Sequence, residues 1–216
     1  MRDALRRRRL FVRQRVQAML SLAGLLARYG VEAPGSYALK KWTACEIEAT
    51  GLEPFVQLQL RTLLGALQDS DQRVKEVETS VKAFVVPSEN FQRIQQVPGI
   101  GIILGMTIVL ESGDFARFSH AGHYASYCRT VQSRRESNGK KKGENNRRNG
   151  NPYLAWAFIE AATFAIRHEP KIQAWYERKK RQRNSIVARK ALACKLAKAV
   201  WHVMKGKDFD RRMLFG

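Results

Sequence analysis

From residue 53 to residue 86, apolar side chains return every seven positions. Leu60, Leu67, Val74 and Val81 form one row, and Leu63, Ser70, Val77 and Phe84 follow three residues after each. An a/d seam held over about four repeats demands a long helix and a partner for its apolar edge. Ser70 is the one polar interruption. The partner is either the first helix of the same chain, lying antiparallel, or a second subunit. The sequence does not choose between them.

The rest of the chain reads the same way. Leu5, Val12, Val16, Met19, Ala23 and Leu26 recur at helical spacing over residues 2–29, and Gly30 ends that segment. A shorter helix is expected over 40–49, closed by Gly51. Ser88 can cap a helix through about residue 95, and an apolar run follows from 102 to 110. Ser119 is expected to cap a helix ending near 128, and Asn151–Pro152 to start one that runs to about 168. Pro170 opens the next, and Ser185 is expected to cap the last. No strand pattern of any length stands out. The fold class is all-α: long coiled-coil helices over 1–87, then a helical domain over 88–216 containing a helix-hairpin-helix.

That hairpin is read from Val97-Pro98-Gly99-Ile100-Gly101 between two helices. Gly99 and Gly101 would let the turn approach a phosphate, with the N–H groups of the second helix offered to it. A plain helix–helix turn uses the same residues.

The stretch 129–153, RTVQSRRESNGKKKGENNRRNGNPY, has no apolar period. It carries Arg129, Arg134, Arg135, Lys140, Lys141, Lys142, Arg147 and Arg148 against Glu136 and Glu144. Glycine and asparagine give it tight turns and bare amides, and Ser137 sits inside the cationic cluster. Such a loop suits a polyanion backbone. The formal charge of +20 makes nucleic acid the default partner. No apolar run is long enough to span a bilayer, so no membrane is expected and the cytoplasm fits. Cys45, Cys128 and Cys194 lie far apart, which argues against a disulfide framework and for a reducing compartment. His120 and His123 could face one way on a helix, but no further ligand stands at metal spacing, and no metal site is expected.

The order VPGIG, ESGDFARF, SYCRTVQSRRESNGKKKG, RRNGNPYLAWAFIEAA resembles the C-terminal half of insertion-sequence transposases of the one-ten family. These bacterial recombinases join an RNase H-like domain bearing four acidic residues to a coiled coil and an all-α transposase domain. The resemblance implies DNA transposition by strand exchange, directed by a guide-type non-coding RNA. It implies a serine nucleophile in a Ser–glycine-type–Lys motif ahead of Gly-Asn. Here the motif reads Ser137-Asn138-Gly139-Lys140, with Gly150-Asn151 downstream, so Ser137 is the match. Ser133 lacks the following Gly-Lys.

The acidic domain has no counterpart in this sequence. Asp69 and Asp71 are read on the exposed side of the coiled coil, and Glu111 and Asp114 at a helix end. A truncated product is therefore expected, one that binds DNA, self-associates through the coiled coil and is inactive alone as a recombinase. No cofactor is expected in this chain, with Mg2+ bound only when the acidic domain is present. The alternative is a non-catalytic helix-hairpin-helix module with coiled-coil dimerisation. A ribosomal-type RNA-binding protein fits the charge but not the long apolar helices.

Overall fold

The computed structural model describes residues 1–85, 88–131, 134–144 and 149–215, with backbone alone at 134–137 and 141–144. It is helical, as expected, apart from one two-stranded hairpin. The chain divides into two compact units, residues 3–81 and 82–215.

In the first unit, α1 (Arg2–Arg28) and α4 (Pro54–Val85) form an antiparallel pair. Arg8 meets Glu78 at 2.6 Å and Arg15 meets Asp71 at 2.8 Å, so positions advancing on one helix retreat on the other. Leu60, Leu67 and Val74 are buried, as the heptad requires. Leu60 and Leu67 share a core with Leu22, Leu25 and Leu26 of α1. The two short helices α2 (Ser36–Leu39) and α3 (Ala44–Glu48) add Leu39 and Ile47 to it. Leu60 and Leu67 of the seam are thus covered from within one chain. Phe84, a predicted seam residue, is 71% exposed.

Two local expectations are corrected here. The helix expected over 40–49 begins only at Ala44, because Thr43 and Glu46 form a reciprocal capping box that fixes its start. Asp71 is not on an open face. It is half-buried and receives Arg15, Lys40 and Lys75. Burial acts to raise its pKa, but the hydrogen bonds from Lys75 and Arg15 and the charge of Lys40 outweigh it, and the net shift is downward.

The second unit packs around α8 (Pro152–His168) and α10 (Ser185–Met204). Around these two lie α5 (Glu89–Ile94), α6 (Ile102–Ser112), α7 (Ala121–Tyr127), α9 (Pro170–Gln182) and α11 (Arg212–Phe215). Leu154, Phe158 and Ala161 of α8 and Leu192, Leu196 and Val200 of α10 are fully buried in one core. Small residues on α8, Ala157, Ala161, Ala162 and Ala165, allow close approach of neighbouring backbone. Phe115 and Phe118, which flank a 3-10 turn, pack edge-on or tilted around Tyr124. Burial pushes the Tyr124 hydroxyl and the Cys128 thiol well above their ordinary ranges, and Tyr124 bonds Ser112 at 2.8 Å. Cys128 is thus an inert core residue.

Two predicted caps move by one residue. His120, not Ser119, caps α7 by accepting from the His123 amide, while the Ser119 hydroxyl bonds His123 Nδ1. Asn184, not Ser185, caps α10. His120 follows the predicted cap and Asn184 precedes it, and each has extended backbone and a side-chain acceptor placed on the helix amides. No helix among the described residues is long and apolar enough to cross a membrane.

Candidate nucleic-acid and catalytic site

The cationic stretch forms a β-hairpin. β1 (Arg134–Ser137) pairs antiparallel with β2 (Lys140–Glu144), and Ser137 is the register partner of Lys140. The connection is Asn138-Gly139, with φ of 53° and 68°. Positive φ at both central residues defines the two-residue hairpin turn whose twist matches the strands, and Asn-Gly is its preferred sequence. A bulge falls between Arg135 and Glu136. The sequence reading found only a flexible loop, because the strands are charged and lack the apolar alternation that marks a half-buried strand. The Asn-Gly pair was the available signal.

The hairpin places Ser137 one residue before the turn and Lys140 one residue after it. Lys140 is exposed. The side chains of Ser137, Arg134, Arg135, Lys141 and Lys142 lie outside the described residues, as do Ser133, Arg147 and Arg148 altogether.

Both ends of this segment are tied to the core. Arg129, at φ 55°, donates from Nε to the Asn149 carbonyl at 2.6 Å and from its terminal nitrogen to the Gly150 carbonyl at 3.2 Å. Its guanidinium thus clasps the returning chain, where the sequence reading had it on the nucleic-acid list. Gly150 has φ 75°, and a Cβ there would run into the Tyr127 carbonyl, so only glycine fits. The Asn151 amide donates to that same carbonyl at 2.7 Å.

Asn151 does three things at once. Its side-chain oxygen accepts from the Tyr153 and Leu154 amides, capping α8. Its Nδ2 donates to Glu111 Oε2 at 2.7 Å. Its backbone closes the loop on α7. Glu111 is only 3% exposed, so this contact joins the end of α6 to the start of α8 inside the core. Sequence reasoning identified the Asn151 cap and the Gly-Asn pair, but it read Glu111 as a helix-end residue. Nothing in a one-dimensional pattern links positions 111 and 151.

The Val97–Gly101 turn joins α5 to α6 and rests on α8. Gly99 has φ 80°, and a Cβ would collide with the Ala161 carbonyl and the Ala165 backbone. Its missing side chain therefore serves packing against α8. Gly101 differs. It is exposed, caps α6 without a side-chain bond, and has open space where a Cβ would stand. A cavity of about 530 Å³, lined mainly by apolar groups including Pro98, Ile102 and Phe164, adjoins the turn.

Among the described residues no three His, Cys, Asp or Glu side chains gather. Glu111 is bonded to Asn151 and Asp71 to three cations.

Residues 91–177, which include the hairpin and its anchors, match the family model described as Transposase IS116/IS110/IS902 family. The chain is 26% identical over 207 residues to the transposase for insertion sequence element IS1111A of Coxiella burnetii. That match covers 93% of this chain and 57% of the relative. It is 25% identical over 209 residues to the transposase for insertion sequence element IS1328 of Yersinia enterocolitica, covering 94% of this chain and 60% of the relative. A Streptomyces clavuligerus protein of insertion element IS116 is 26% identical over 111 residues. The chain thus spans less than two-thirds of the length of the first two relatives. Residues 91–177 are thus similar to the domain that defines the IS116/IS110/IS902 family of insertion-sequence transposases.

Proposed function

We propose that this chain supplies the DNA-binding and nucleophile-bearing part of an insertion-sequence transposase, with Ser137 as the nucleophile of strand exchange. The observation that carries the reading is the position of Ser137: the last residue before a tight hairpin turn, in register with Lys140, on an element anchored at both ends. A hydroxyl at such a tip can reach a phosphodiester that a cationic surface has already drawn in. Arg134, Arg135, Lys140, Lys141 and Lys142, with Arg147 and Arg148, would hold the scissile phosphate and offset its growing charge. In the step itself Ser137 loses its proton to a base and its Oγ bonds phosphorus. One phosphorus–oxygen bond to deoxyribose breaks, and that oxygen takes up a proton. The product is a phosphoserine link to DNA, released by the reverse attack of a second DNA end.

In this reading Mg2+ would be held by the carboxylates of an acidic domain in the intact recombinase. Without them we expect the chain to bind DNA and to be inactive in exchange. A guide-type RNA belongs to the same reading. So does self-association. Because Leu60 and Leu67 are already covered, a second copy would meet exposed apolar residues of α1, Val16 and Leu20.

The test is strand exchange by the recombinase completed with its acidic domain, comparing Ser137→Ala with Ser133→Ala. Loss of exchange and of the covalent DNA adduct in the Ser137 variant alone supports the reading. Full activity of Ser137→Ala refutes it.

A further inference from the structure

Residues 170–207 hold twelve lysines and arginines and one acid, Glu177. This is a second concentration of charge, built on α9 and α10 and separate in sequence from the hairpin. Glu177 is engaged by Lys180 at 3.3 Å. The stretch therefore has no other acid of its own with which to balance the rest.

The two helices meet at a short turn, so the C-terminal end of α9 and the first turns of α10 share one corner. Arg178, Arg181 and Arg183 are exposed there. Beside them, at the start of α10, Ile186 is 75% exposed and Val187 44%. The apolar face of α10 is otherwise spent on the core through Leu192, Leu196 and Val200.

Helix electrostatics accounts for only part of this. Cations in the last turn of α9 complement the negative end of its dipole by a few tenths of a kcal/mol each. Arg183 stands at the opposite kind of end, just before α10, where the dipole disfavours a cation. Asn184 caps that end through the Val187 amide at 2.9 Å. The exposed arginines of this corner repel one another and the positive start of α10, and a polyanion laid across them would relieve that repulsion.

We propose that this α9–α10 corner is a second DNA-binding surface, with Arg178, Arg181 and Arg183 on phosphates and Ile186 and Val187 against the minor-groove wall of a duplex. The inference rests on the nucleic-acid reading above. Apolar side chains in cationic surroundings suit the DNA minor groove, where such residues seat against sugars and base steps. The minor groove of an RNA duplex instead presents 2′-hydroxyls. Two apolar residues at a helix start are too few for an interfacial membrane helix, which needs a whole apolar face.

The test measures fluorescence anisotropy of a labelled DNA duplex with the 216-residue chain, from about 50 to 200 mM salt, where phosphate contacts govern affinity. Three variants are compared with the parent: Arg178→Gln/Arg181→Gln/Arg183→Gln, Ile186→Ser, and Lys140→Ala/Lys141→Ala/Lys142→Ala. All the corner side chains replaced are exposed, and unchanged melting confirms folding. The triple corner variant is expected to lose at least tenfold in affinity and to flatten the salt slope by about 2–3. Ile186→Ser is expected to lose affinity for DNA with the slope unchanged. If the corner variant binds like the parent while the lysine variant weakens, the corner is not a DNA surface and the hairpin reading stands. If only the corner variant weakens, the corner inference holds and the hairpin's share in binding falls. If neither weakens, both fail. An RNA duplex of the same sequence bound as tightly, with Ile186→Ser silent on DNA, overturns the minor-groove assignment.

Discussion

Replacing Asn151 separates what anchors the hairpin from what merely borders it. Asn151→Ala removes the α8 cap, a loss of about 1 kcal/mol. It also takes a donor from Glu111 Oε2 in a site where water does not reach, and a bond to a charged group is worth about 1.5–3 kcal/mol. The sum is about 2.5–4 kcal/mol. For a unit of this size that lowers the melting temperature by roughly 8–15 °C. Asn151→Ser divides the effect, because serine keeps the cap and cannot reach Glu111. It is expected to cost about 1.5–3 kcal/mol. The assay is urea denaturation followed by tryptophan fluorescence, since Trp156, Trp175 and Trp201 all report on the second unit. A cycle with Glu111→Gln gives the coupling directly. If Asn151→Ser is as stable as the parent, or the cycle shows coupling near zero, the carboxylate–amide contact is not what joins α6 to α8.

Gly99→Ala forces a side chain into the α8 backbone at positive φ and is expected to cost more than about 2 kcal/mol, whereas Gly101→Ala stays within about 1 kcal/mol; denaturation midpoints compare them. Asp71→Asn is expected to destabilise the first unit at pH 7. A lowered carboxylate pKa contributes stability above the unfolded value of about 4, lost as pH falls through the folded value, so the gap from the parent should close in strong acid. Leu67→Asp buries a charge in the α1–α4 core and should unfold the first unit, read as lost helical circular dichroism, instead of yielding a folded monomer. Val16→Asp/Leu20→Asp should leave that helicity intact and reduce the sedimenting mass at tens of micromolar if a second copy docks there; an unchanged mass refutes that face.

Helices were legible because their signal is periodic and local. The seam at Leu60, Leu67 and Val74, the Asn151–Pro152 start of α8 and the end of α1 at Gly30 are all set by neighbours in sequence. The hairpin at 134–144 was not legible by periodicity, since its residues are charged and show no apolar alternation. Its turn was still written in Asn138-Gly139, a residue pair whose backbone preference does not depend on burial. What sequence cannot carry is a partnership between distant positions. The Thr43–Glu46 box lies within one turn and was readable in principle, but Arg15 with Asp71, and Glu111 with Asn151, join residues far apart in the chain.

That division bears on how the site works. Ser137 lies on a hairpin whose two strands pair with each other. The restraint comes from its two ends. Arg129 draws the returning strand in by the Asn149 and Gly150 carbonyls, and Gly150 lets the chain pass over the Tyr127 carbonyl. Asn151 then hands that geometry to α8, and Glu111 fixes Asn151 to α6. On the proposed reading the motif halves Ser137–Lys140 and Gly150–Asn151 divide the labour: the first would carry the chemical groups and the second holds the chain ends beside α7 and α8. A change at Arg129 should follow from this. Arg129→Ala leaves the tip cations untouched and frees the returning strand, so in the completed recombinase it should depress the rate of covalent adduct formation far more than DNA affinity. Equal loss in both would make Arg129 a phosphate contact, and no loss in either would show that the clasp is idle.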